Sequence, residues 1–125
     1  MITNSITIKP SQGEQMISLH VYLKPKSDME NDLESAIKNR WINEMQIQDG
    51  FISAATVKPY SDEELTKLEA SSPSHVYEVI SFWQSEEQRL DWVAKPIHDE
   101  VWQEVINAAD DVSYTLQTVE QHWNI

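Results

Sequence analysis

Residues 76–102, VYEVISFWQSEEQRLDWVAKPIHDEVW, constrain the fold more than any other stretch. Residues 76–83 are dense in β-branched and aromatic side chains, which suit a pleated surface, and predict a strand. Ser85-Glu86-Glu87-Gln88 follows as a capping box, with two acids in the first turn where the helix dipole favours negative charge. The helix must break at Pro96, which has no N–H to donate but suits the first turn of a second segment. In that segment Ile97, Val101 and Val105 recur every four residues, with His98 and Trp102 on the adjoining stripe.

Upstream, Ile17, Leu19, Val21 and Leu23 alternate with Ser18, His20, Tyr22 and Lys24, predicting a strand over residues 16–24 that Pro25 ends. Ser27-Asp28-Met29-Glu30 reads as another capping box, opening a helix that runs to about residue 48. Its buried stripe is Met29, Leu33, Ile37, Trp41 and Met45, widened by Ala36 and Ile47, and Gly50 stops it. A strand follows over residues 51–58, then a short helix capped by Ser61, then a loop over residues 71–74. A last strand is predicted over residues 112–123. Residues 1–15 stand apart as an arm suited to packing on a neighbour, and residues 16–125 form a single domain.

Strand, helix, strand, strand, helix, strand is the split βαβ order of ferredoxin-like α+β folds, an antiparallel sheet with helices on one face. Both sheet faces read as apolar, with Ile17 to Leu23 on one side and Tyr22, Tyr77, Val79 and Trp83 on the other. A lone chain would expose such a face, so a homodimer with sheets packed face to face is expected. The alternative is a monomer whose second face is covered by loops.

The formal charge of −12 argues against nucleic acid and anionic membrane as partners. No stretch is apolar enough to span a bilayer, the first residues lack a leader pattern, and a cytoplasmic location is expected. With no cysteine, thiolate metal sites, disulfides and cysteine nucleophiles are excluded. Glycine stands only at positions 13 and 50, so no phosphate-cradling loop exists, and no metal-ligand spacing is present. The acidic runs read as solvated surface.

Tyr77-Glu78, Trp83-Gln84-Ser85-Glu86, Trp92 and Pro96-Ile97-His98, in this element order, resemble the antibiotic biosynthesis monooxygenase-like family of dimeric α/β-barrels. The resemblance spans residues 16–119 by element order and is sharp over residues 77–102. It implies a homodimer and a cofactor-independent monooxygenase-like activity on a small hydrophobic aromatic or quinol-type compound. The alternative is a non-catalytic ligand-binding or structural dimer. The family's haem-degrading branch carries an Asn on the first strand and a His ten residues after a Trp. Here Trp92 is followed at that distance by Trp102, and His98 comes one turn early, so neither haem nor another cofactor is expected.

For such chemistry the candidates are His20, Tyr22, Trp92 and His98 as catalytic groups, with Trp83, Trp102 and Tyr77 lining the substrate pocket. Each has a plainer role open to it. The tryptophans can be core or interface anchors, His20 a satisfied buried imidazole, and His98 a helix-surface residue bonded to Asp99 or Glu100.

Overall fold

The structure is a computed structural model that describes residues 15–123, so the expected arm lies outside the described residues except for Gln15. The elements are β1 (Ile17–Pro25), α1 (Glu30–Ser35), a π-helical stretch (Ala36–Trp41), α2 (Ile42–Met45), β2 (Phe51–Val57), α3 (Asp62–Lys67), β3 (Tyr77–Trp83), α4 (Glu86–Val93), α5 (Pro96–Ala108) and β4 (Ala109–Thr118). One sheet runs β2-β3-β1-β4 with all neighbours antiparallel. Helices cover one of its faces, the ferredoxin-like α+β arrangement that the element order predicts. Among the described residues no helix is long and apolar enough to cross a membrane.

Register sets the core. Ile17 lies opposite Trp83, Val21 opposite Val79, and Leu23 opposite Tyr77, and all six are buried. Directly opposed residues share a face, so these form one layer. Leu33, Ile37, Trp41 and Met45 from the first helical run, Trp92 from α4, and Val101 and Val105 from α5 complete it. This corrects the expected distribution: Tyr77, Val79 and Trp83 lie on the helix-facing side with Ile17 to Leu23, and only Tyr22 of that set faces away. The far face is mixed, with Ser18, His20 and Tyr22 from β1 beside Glu78, Ile80 and Phe82 from β3.

Local expectations differ in four places. The Ser27 capping box does not form, because Asp28 turns into the left-handed region at φ 64° and Met29 becomes the uncapped N-cap. Ser61 makes both halves of its box, whereas Ser85 accepts from the Gln88 amide but spends its own hydroxyl on the Gln88 side chain. Ile47 lies past the end of α2 and is 72% exposed. The last strand begins directly from α5 at Ala109 and ends at Thr118, whose register partner Ile17 is the first residue of β1.

Gly50 joins α2 to β2 with φ +87°, and its backbone packs on α4. A Cβ there would stand 2.5 Å from the Gln88 side chain. Gly50→Ala combines that overlap with left-handed strain and should cost about 1–3 kcal/mol in urea denaturation. A midpoint unchanged from wild type would show that Gln88 yields freely.

Candidate functional site

A cavity of about 200 Å³ opens between the helix-facing side of the sheet and the helices. Leu19 and Val21 of β1, with Trp83 of β3, form its floor, and Tyr114 of β4 stands at one side. Trp41 and Met45 come from the first helical run, Arg89 and Trp92 from α4, and His98 and Trp102 from α5. The break at Pro96 is what allows α4 and α5 to present Trp92 and His98 to one space. A continuous helix would carry residues six apart on different faces.

His98 is half-buried and bonded to Asp99, so it keeps the neighbour contact of the plainer reading while its ring also lines the cavity. Its Nδ1–H donates to the Asp99 carboxylate at 3.2 Å, an arrangement that in the neutral ring puts the lone pair on Nε2. The ring meets Trp92 edge-on at 5.1 Å and stacks on Trp102 at 6.5 Å. Two indoles and one carboxylate therefore restrict its orientation.

Arg89 is a second polar group in the wall, 11% exposed. Its Nε and Nη2 donate to the two Glu86 oxygens at 2.7 and 2.8 Å. The same guanidinium holds the Glu86 carboxyl below its ordinary value, so the pair stays ionic.

Trp41 occupies the last position of the π-helical stretch, a geometry that recurs at functional sites. Its ring lies 5.0 Å from Trp102. Arg40, one residue earlier, donates to Glu104 at 3.0 and 3.1 Å and to Glu100 at 2.8 Å, tying this stretch to α5. The Trp41 indole N–H is buried without a partner, whereas the Trp83 N–H donates to Ser81 Oγ at 3.1 Å.

The seven residues singled out in the sequence divide between two faces. Trp83, Trp92, His98 and Trp102 meet in the cavity. Tyr77 shares the helix-facing side but lies at the other end of β3, where its hydroxyl donates to Glu34 at 2.8 Å. Burial, then the Glu34 carboxylate, push its pKa up to about 12, so it stays a neutral donor. His20 and Tyr22 face away from the helices. His20 bridges Ser18 and Glu78, both at 2.9 Å, and Tyr22 packs on His75 beside a separate hollow of about 170 Å³. The sheet thus separates His20 and Tyr22 from His98 and Trp92. Sequence reasoning passed over Arg89 as a wall residue and placed Trp41 in the core stripe. The Glu86–Arg89 spacing of three was a legible ion-pair signal; that the pair borders a cavity was not. Among the described residues no cluster of His, Cys, Asp and Glu is placed to hold a metal ion.

No family model matches the chain, and no curated protein does. Solved structures share its fold. A mutant of SnoaB, a cofactor-independent oxygenase from Streptomyces nogalater, superposes with TM-score 0.69 at 13% identity, covering 86% of this chain and 96% of that one. Hydroxynitrile lyase from Passiflora edulis gives 0.71 at 13% identity, covering 88% and 98%. A dimeric ferredoxin-like protein of unknown function from Thermobifida fusca gives 0.66 at 8% identity, covering 95% and 100%. At such identities the likeness establishes the ferredoxin-like α+β fold and nothing finer.

The two tryptophan donors predict unequal losses. Trp41→Phe and Trp83→Phe each leave a void where the larger ring was. Trp41→Phe also removes a buried N–H that bonds nothing, whereas Trp83→Phe deletes a buried bond and strands Ser81 Oγ, so it should cost about 1–2 kcal/mol more. Thermal unfolding of both variants checks this, and equal losses would place a partner on Trp41.

Proposed function

We propose that this chain is a cofactor-independent, monooxygenase-like enzyme of the antibiotic biosynthesis monooxygenase type, acting on a small phenolic or quinol-type compound. The observation that carries the reading is His98: half-buried in the wall of an apolar cavity, bound through Nδ1, and in its neutral form with Nε2 left to take a proton. Removing the hydroxyl proton of a phenol makes an electron-rich anion that can itself reduce O₂. For a phenol with a free para position, one oxygen atom becomes the new carbonyl of a quinone. The other leaves as water with the two hydrogens lost, so the substrate supplies every electron. Leu19, Val21 and the tryptophans keep the reacting ring out of water. The likeness to SnoaB supports this reading through the fold.

The second reading is a non-catalytic ligand-binding protein, and cavity size confines either reading to a small ligand. About 200 Å³ is below the ~300 Å³ at which pockets for larger ligands begin. Cleavage of a cyanohydrin, the class of reaction named for the lyase of similar fold, would also start from a base at a hydroxyl, but without O₂. Oxygen uptake by the purified protein with a panel of single-ring phenols and quinols separates the three. We expect uptake, and a loss of at least about a hundredfold in rate for His98→Gln. Uptake by neither protein sinks the oxygenase reading, and cyanide release from mandelonitrile without uptake favours the lyase chemistry.

The same proposal includes a homodimer through the far sheet face, where Ile80 and Phe82 lie half-buried between polar neighbours. The likeness in fold to the dimeric Thermobifida protein supports it. Light scattering should give twice the chain mass of 14.5 kDa, and Phe82→Glu should halve it. A wild-type mass of one chain at micromolar concentration removes the dimer.

A further inference from the structure

We infer that the cavity takes a single-ring aromatic as its oxyanion, a phenolate or an aromatic carboxylate, and that Arg89 is the residue that holds the negative oxygen. The inference rests on the reading of this cavity as the functional pocket and deepens it by naming the form in which the ligand binds.

Size sets the ring count. Engineered apolar cavities of about 150 Å³ accept benzene. A space of about 200 Å³ holds one ring with a small substituent, walled by Trp41, Trp92 and Trp102. The apolar floor of Leu19, Val21 and Trp83 suits the ring itself.

Charge sets the ionisation state. Among the residues lining the cavity Arg89 is the cation, and no carboxylate lines it. Glu86 and Asp99 are present one step out, the first bonded to Arg89 and the second to His98. Glu86 is 45% exposed and Arg89 is 11% exposed, so the carboxylate sits toward water and the guanidinium toward the interior. Glu86 occupies Nε and Nη2, and Nη1 has no hydrogen-bond partner among the described residues. A half-buried guanidinium in an apolar wall, with one amino group unspent, is met best by an anionic oxygen, which accepts a charge-assisted bond. Glu86 acts as a positioning residue, because its two bonds fix which edge of the fork remains free. In a chain of net charge −12 this cation also gives an anionic ligand one place where the local field favours it.

The test uses 4-nitrophenol, a single-ring phenol that ionises near neutrality and whose anion alone is yellow. Titrating the full chain with it at pH 6 should deepen the yellow absorbance and lower the apparent pKa of the bound phenol by about one unit, a tenfold preference for the anion. Arg89→Met should still bind the probe, displaceable by nitrobenzene, but with the pKa shift lost. Glu86→Gln should lose part of the shift. His98→Gln should keep it, since His98 is the base of the proposed reaction and not the anchor of the charge. Thermal unfolding of Arg89→Met shows that the variant is folded; if it is not, Arg89→Lys, which keeps the charge but not the fork, should retain a reduced shift. Probe bound in its neutral form by wild type overturns the inference. So does a shift that survives Arg89→Met, or one lost in His98→Gln alone, which would leave His98 as the base and Arg89 as mere wall. A wild type that does not bind the probe at all removes the pocket reading and the inference together.

Discussion

The antiparallel register between β1 and β3 is the constraint on which everything else in this molecule turns. With Val21 opposite Val79, the residues of one parity on both strands face the helices. Those residues are Ile17, Leu19, Val21 and Leu23 against Tyr77, Val79, Ser81 and Trp83. A slip of one residue would send Val79 and Trp83 to the other face and carry His20 or Glu78 into the core. The cost of stranding those polar groups in an apolar layer holds the register. The same register keeps His20, Glu78 and Ser18 together on the far side, where they satisfy one another.

Above that layer the helices do two jobs that pull against each other. They must seal the core, and Trp92, Val101 and Val105 do so at no more than 2% exposure. They also leave a gap, and the gap follows from two departures from regular helix. The π-helical stretch ends on Trp41, while Pro96 divides α4 from α5. Arg40, bonded to Glu100 and Glu104, ties the π-helical stretch to α5. The polar groups at its edge, His98 with Asp99 and Arg89 with Glu86, are each oriented by an acid outside the cavity. That is how a strongly acidic chain keeps a half-buried imidazole and a half-buried cation beside one cavity.

Much of this was legible beforehand. Period-two alternation marks β1, the β-branched and aromatic run marks β3, and Ser61, Ser85 and Pro96 mark helix starts through chemistry local to a few residues. The element order then leads to the ferredoxin-like sheet. The failures have local causes too. Asp28 enters the left-handed region and cancels an apparent capping box. Ile47 fits a helical stripe that the chain has already left. The candidate site was legible only by half. Trp92, His98 and Trp102 share neighbouring helices and could be grouped from spacing, but His20 and Tyr22 were grouped with them although the sheet intervenes.

Spacing along one strand or helix determines which side chains share its face, because the backbone periods of two and about 3.6 are properties of the chain itself. This was enough for the elements, their order and the composition of each stripe. Which face of β1 meets the helices, and therefore whether His20 or His98 belongs to the cavity, depends on how separate stripes pair across long sequence distances. That choice is settled by the collective burial of the whole apolar layer, and only the tertiary structure records it.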